Sequence, residues 1–182
     1  AKLTRVSGNE VHIERRDGLT TKADISIFSK EDQKFIRDWA KIQMITDGAI
    51  EVRFTTEVSD KSSFKSNGTG ILRKTWKQAY GIVLTNKAYE DLEDIRIEYM
   101  ILKFEDAVAA QKRSEGELLY IKDETSVEFL KAGGEAHAET KQFPMQETKL
   151  DSGYYFANGG KDTSKDDMRG IWIKVYVGNT LA

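Results

Sequence analysis

Residues Asp94 to Glu105 constrain the fold more than any other stretch. Ile95, Ile97, Tyr99, Ile101 and Lys103 alternate with Arg96, Glu98, Met100, Leu102 and Phe104. A period of two is that of an extended strand, whose side chains point alternately to opposite faces. Toward the end of the run both sets turn apolar. A strand that is apolar on both faces needs cover on both, so it belongs at the centre of a sheet.

Other runs repeat the pattern. Ile50, Val52, Phe54 and Thr56 alternate with Glu51, Arg53, Thr55 and Glu57. Thr75 to Asn86 predicts a strand with Trp76, Tyr80, Ile82 and Leu84 inward. Leu118 to Ile121, Ser126 to Leu130, Ala136 to Phe143 and Gly170 to Val177 complete the set. In the last, Ile171, Ile173, Val175 and Val177 face one way, and Trp172, Lys174 and Tyr176 the other. Several short strands separated by turn signals indicate a sandwich or barrel. Ala107 to Glu115 lacks the alternation and predicts a short helix or polar loop.

The first quarter of the chain differs. Strand patterns at Lys2 to Val6, around Val11 and Ile13, and at Thr20 to Phe28 are divided by Ser7-Gly8-Asn9 and by Asp17-Gly18. Asp-Gly tolerates the positive φ of tight hairpins. The period then changes. Ser29 followed by Lys30-Glu31-Asp32 is a helix N-cap with acids in the first turn. Phe35, Ile36, Trp39 and Ala40 recur at three to four residues, predicting one apolar helix face between Ser29 and Ile42. Thr46-Asp47-Gly48 marks a boundary. Residues 1–46 are expected to form a small β-plus-helix unit, and residues 47–182 a β-sandwich.

Composition narrows the function classes. Lys plus Arg number 28 against 30 Asp plus Glu, a formal net charge of -2. Nucleic acid is not an expected partner, because phosphate binding needs clustered excess cations. No apolar run approaches the ~20 residues a membrane span needs. The chain has no cysteine, which excludes disulfides, thiolate metal sites and cysteine nucleophiles.

Two resemblances add to this reading. "GNEVHIERRDGLTTKADISIFSKEDQKFIRDW" resembles the first-type Sla homology domain family, on its Asp-Gly turn, its alternating strand and its Ser-Lys-Glu-Asp-Gln helix start. The resemblance implies an SH3-like small barrel ending in a helix. In that family a further strand precedes the position of Ala1, so a partial barrel is expected. Eukaryotic members bind short peptides, and bacterial ones usually sit in secreted or envelope proteins. "YGIVLTNKAYEDLEDIRIEYMIL" is similar to immunoglobulin-like or fibronectin-like sandwiches that follow such domains in bacterial proteins.

Candidate chemistry is sparse. His12 and His137 each sit in a strand pattern without a local nucleophile or orienting acid. Glu90-Asp91 and Glu93-Asp94 flank a turn. Asp162, Asp166 and Asp167 crowd a loop near Lys161 and Lys165, without the spacing of an EF-hand. Asn67-Gly68-Thr69-Gly70 lacks the Lys-Ser/Thr of a phosphate loop and reads as a turn. Tyr154-Tyr155-Phe156 is the densest aromatic run, and in a strand successive rings point to opposite faces.

The expectation is a mainly-β binding or scaffolding protein outside the cytoplasm, most readily one that binds another protein or a peptide. Tyr154, Tyr155 and Phe156 are the candidate contact residues. No catalytic, cofactor or metal site is expected. Two alternatives stand: a carbohydrate-active or hydrolytic domain using carboxylates in residues 151–170, and a structural spacer in a longer chain.

Overall fold

The computed structural model describes residues 1–106, 116–155 and 161–182. The chain is mainly β, with three antiparallel sheets and one long helix. The first sheet is a meander of β1 (Lys2–Ser7), β2 (Glu10–Glu14) and β3 (Thr20–Asp24). Its second turn closes through Gly18, which takes a φ of +81° and donates its N–H to Arg15 O at 3.0 Å. The strand expected to reach Phe28 stops at Asp24. The Asp24 carboxylate accepts the Ser26 N–H at 2.8 Å and turns the chain into a single 3₁₀ turn, Ile25–Ile27.

Helix α1 (Lys30–Thr46) starts as the sequence indicates, with Ser29 Oγ accepting the Asp32 N–H at 3.1 Å. It runs one turn past Ile42, because Met44 and Ile45 still find apolar cover. Phe35, expected on the packed face, lies exposed. The packed residue beside it is Ile36, which joins Val11 and Ile25 in a small core with Leu3, Val6, Ile13 and Phe28 around it. Ile45 is buried in a different core, that of the sandwich. Nine residues make about two and a half helical turns, so Ile36 and Ile45 lie on opposite sides of the helix.

The other two sheets form the sandwich. One holds β4 (Ile50–Lys65), β5 (Ile71–Asn86), β8 (Glu135–Glu139), β9 (Phe143–Leu150) and β10 (Thr163–Lys165). Strand β5 pairs with β4 along one side, and with β8 and β9 end to end along the other. The second holds β6 (Leu92–Glu105), β7 (Glu117–Leu130), β11 (Asp167–Val177) and β12 (Thr180–Leu181) in the order β12-β11-β6-β7. The two strands expected at Leu118 and Ser126 are one continuous β7, paired with β6 along most of its length. The strand expected from Ala136 to Phe143 is two, broken at Thr140. There the Thr140 side-chain oxygen accepts the Tyr80 N–H at 2.9 Å. The Ala107–Glu115 segment lies outside the described residues.

The inward rows meet as the alternation requires. Ile82 and Leu84 of β5 face Ile95 and Ile97 of β6 and Val175 and Val177 of β11, with Leu92, Leu130 and Ile45 closing one end. Tyr99, Ile101, Phe143 and Met145 fill the other half, with Trp76 and Tyr80 against them. Each fully enclosed Ile or Leu contributes about 1.5–3 kcal/mol by leaving water. Lys103 is the exception in the β6 row: it takes an inward position and is buried.

Candidate functional site

The aromatic run singled out in the sequence is divided. Tyr154 follows β9 in a turn, and its ring lies flat against Gly70, where a Cβ would collide with it. Gly70 adopts a φ of +64° and accepts the Asp151 N–H at 2.8 Å. Tyr154 is therefore a packing element of a loop junction. Lys65 Nζ sits 2.5 Å from the Asp151 carboxylate, which the contact holds below the usual carboxylate range while the lysine is raised. A cavity of ≈ 520 Å³ opens beside Tyr154, lined also by Lys65, Lys149 and Asp162. Tyr155 is 86% exposed. Phe156 lies outside the described residues.

The loop carboxylates do not converge. Asp162 lines the Tyr154 cavity. Asp166 points inward and lies near Lys103, while Asp167 is exposed beside Arg169. The other acids hold turns: Asp91 accepts the Ala132 N–H at 2.8 Å, and Asp94 takes a φ of +54°. His12 Nε2 lies 2.8 Å from Glu10, which also accepts from Lys22. His137 is exposed on the outside of β8, at a groove of ≈ 490 Å³ whose floor is Ala79 and Gly81 of β5. Among the described residues no cluster of three or more His, Asp or Glu side chains is arranged to hold a metal ion.

The surface best built for contact is the outer face of the β12-β11-β6-β7 sheet. Register brings Trp172 of β11 beside Met100 of β6, and Met100 beside Lys122 of β7. One row on, Gly170, Leu102 and Tyr120 are neighbours, and after it Phe104 and Leu118. Gly170 carries no side chain, so nothing stands on its strand between Trp172 and the bulge that follows. Trp172 is 50% exposed and Tyr120 58%, and Leu118 is exposed as well. Cations stand over the rings: Lys174 Nζ is 5.0 Å from the Trp172 ring and the Arg169 guanidinium 5.1 Å from that of Phe104. The other end of the face is polar, with Arg96 against Glu98 and Glu124 and over Tyr176.

This face could be anticipated only in part. The outward placing of Trp172 and the two-sided apolarity of β6 follow from alternation. That Tyr120 and Leu118 lie in the same patch needs the β6–β7 register, which strand patterns alone do not give.

No family model matches the chain, and no curated protein does. Among solved structures, the chain has a likeness to the X-ray structure of a Northeast Structural Genomics Consortium target. It covers 70% of this chain and 86% of that one, at 11% identity and a TM-score of 0.33.

Proposed function

We propose that the protein is a binding or scaffolding module whose outer β11-β6-β7 face docks another protein. The observation that carries this reading is the contiguous patch of Trp172, Met100, Leu102, Tyr120, Phe104 and Leu118 on an uncovered sheet face. Contiguous apolar surface of this kind is costly to leave in water and marks interaction sites. Trp, Tyr and Arg are the residues that dominate binding energy at protein interfaces. Lys122, Arg169 and Lys174 flank the patch, so the fitting partner is apolar at its centre and carries carboxylates around it.

The strand order supports an immunoglobulin-like sandwich as the scaffold. Strands β4, β5 and β8/β9 lie on one sheet and β7, β6, β11 and β12 on the other, with the chain crossing after β5, after β7 and after β10. Immunoglobulin-like domains divide their A-B-E and C-F-G strands between two sheets in this manner. The SH3-like reading of residues 1–46 and a location outside the cytoplasm stay part of the proposal.

The test is site-specific photocrosslinking in cells that make the protein. A photoreactive residue at Tyr120 is expected to yield one discrete protein adduct, and the same residue at Thr56, on the opposite sheet, is not. The purified adduct partner should then bind the wild-type chain and lose at least tenfold in affinity to Trp172→Ala, a change of about 1.4 kcal/mol or more. Identical adducts from both positions, or full binding by Trp172→Ala, would overturn the reading.

A further inference from the structure

Lysine is almost never enclosed in a core without a partner. Lys103 ends the inward row of β6, and its side chain is only 4% exposed, whereas the other ion-paired lysines stand about half in solvent or more. Its Nζ lies 2.6 Å from Glu105 Oε1 and 3.2 Å from Asp166 Oδ2. Asp166 is itself 10% exposed, and both its oxygens are held by backbone donors. Asp106 N–H donates to Oδ1 at 3.3 Å and Gln146 N–H to Oδ2 at 3.0 Å. Lys103, Glu105 and Asp166 together line a groove of ≈ 470 Å³ that also includes Asp106, Glu117 and Gln146.

An amine, a carboxyl group it can attack, and a second carboxylate on the amine are the parts needed to make an amide. We propose that Lys103 and Asp166 condense into an intramolecular isopeptide bond, with Glu105 as the catalytic residue that moves the proton. The reaction begins with transfer of one proton from the Lys103 ammonium to the Asp166 carboxylate, giving a free amine and a carboxylic acid. The Nζ lone pair attacks Asp166 Cγ. Glu105 takes a proton from the attacking nitrogen and returns it to the departing hydroxyl. The new bond is Nζ–Cγ, the broken one is Cγ–O, and water leaves. One ammonium and one carboxylate become one amide plus one water, so charge and atoms balance and no other reagent enters. Glu105 ends as it began.

The surroundings favour each part of this. Fixed backbone donors on both Asp166 oxygens stabilise the negative charge that develops on the tetrahedral adduct. Groups held at contact distance react with effective molarities far above any solution concentration. Enclosing two charges costs much of what their attraction returns, and the amide removes both charges. The groove supplies an exit for the water. The product would tie β6 to the residue that leads into β11, a covalent clasp in a chain without cysteine.

The experiment is the intact mass of the purified full chain. Wild-type protein is expected to be lighter than its sequence by one water. Its tryptic digest should lack cleavage at Lys103 and contain a branched peptide joining residues 97–112 to residues 166–169. Lys103→Arg and Asp166→Ala should have the full sequence mass, and Glu105→Gln should fold yet convert at least a hundredfold more slowly. Folded wild-type protein that keeps its full sequence mass after days of incubation across pH 5 to 9 would overturn the proposal, whatever the variants do. Undiminished conversion in Glu105→Gln would overturn the role of Glu105.

Discussion

Asn86 is the most consequential polar side chain in the sandwich. It is fully buried at the end of β5, where the chain leaves one sheet for the other. Its Nδ2 donates to Glu90 O at 2.9 Å and to Leu130 O at 3.1 Å, and its Oδ1 accepts the Ala88 N–H at 2.8 Å. One side chain thus satisfies three backbone groups and sets the β5–β6 crossing beside the β7 terminus. Removing it leaves those groups enclosed without partners, each worth about 1–3 kcal/mol when water cannot reach it. Asn86→Ala is expected to cost about 3 kcal/mol, read as a shift in urea midpoint with unchanged slope. A loss below about 1 kcal/mol would mean that water replaces the amide. The sequence marks Asn86 as a strand end, and it marks Lys103 as the last residue of an apolar row. It does not say that Tyr154 lies on Gly70, because contact between residues so far apart in the chain has no local pattern to carry it.

Elements were legible where one periodicity governed them. The β6 alternation and the Ser29 cap needed only neighbours in sequence, and both are where the pattern puts them. The early stop of β3 and the break between β8 and β9 were not, since each depends on a side chain competing for backbone hydrogen bonds. The junction between β4, β5 and β9 depends on the Lys65–Asp151 pair, and this gives it a pH dependence with a definite sign. Asp151 is held low first by its hydrogen bond from Lys65 and then by the Ser152 N–H. Glu51 is lowered by Lys87, Glu10 by Lys22 and then His12, and Asp24 by Ser26. A carboxyl group that is depressed on folding stabilises the folded chain above its ordinary range, and the benefit disappears as pH falls through the folded value. Tyr99 and Tyr80 act at the other end. Burial raises both, so their neutral forms favour folding below pH 10.0 and that contribution falls away as pH rises further. Midpoint temperature is expected to be flat near neutrality and to fall below the 3.8–4.5 carboxylate range and above 10. Asp151→Asn should flatten part of the acid limb. An acid limb identical in Asp151→Asn and wild type would assign that pair no role.

At the scale of the whole molecule, the question is how the small sheet and the sandwich communicate. The boundary expected at residue 46 separates two hydrophobic cores, yet α1 takes part in both. Ile36 packs with Val11 and Ile25, and Ile45, on the far side of the same helix, packs with Leu92, Leu130 and Val177. Helical periodicity over residues 29–42 reveals a single stripe, because the second stripe consists of little more than Met44 and Ile45 at its end. A continuous helix transmits the loss of one core to the other, since its hydrogen bonds form and break cooperatively. Calorimetry of the wild-type chain is therefore expected to give one unfolding transition. Ile45→Ala should cost about 2–4 kcal/mol and lower that single transition as a whole. Replacing Lys41 and Gln43 with glycine leaves both cores intact and weakens only the helix between them, at about 1 kcal/mol per residue. If α1 is the coupling element, this double variant should split the transition in two, the first ascribable to the Val11–Ile25–Ile36 core. Two transitions already in the wild type would show that the cores unfold independently and that Ile45 merely caps the sandwich.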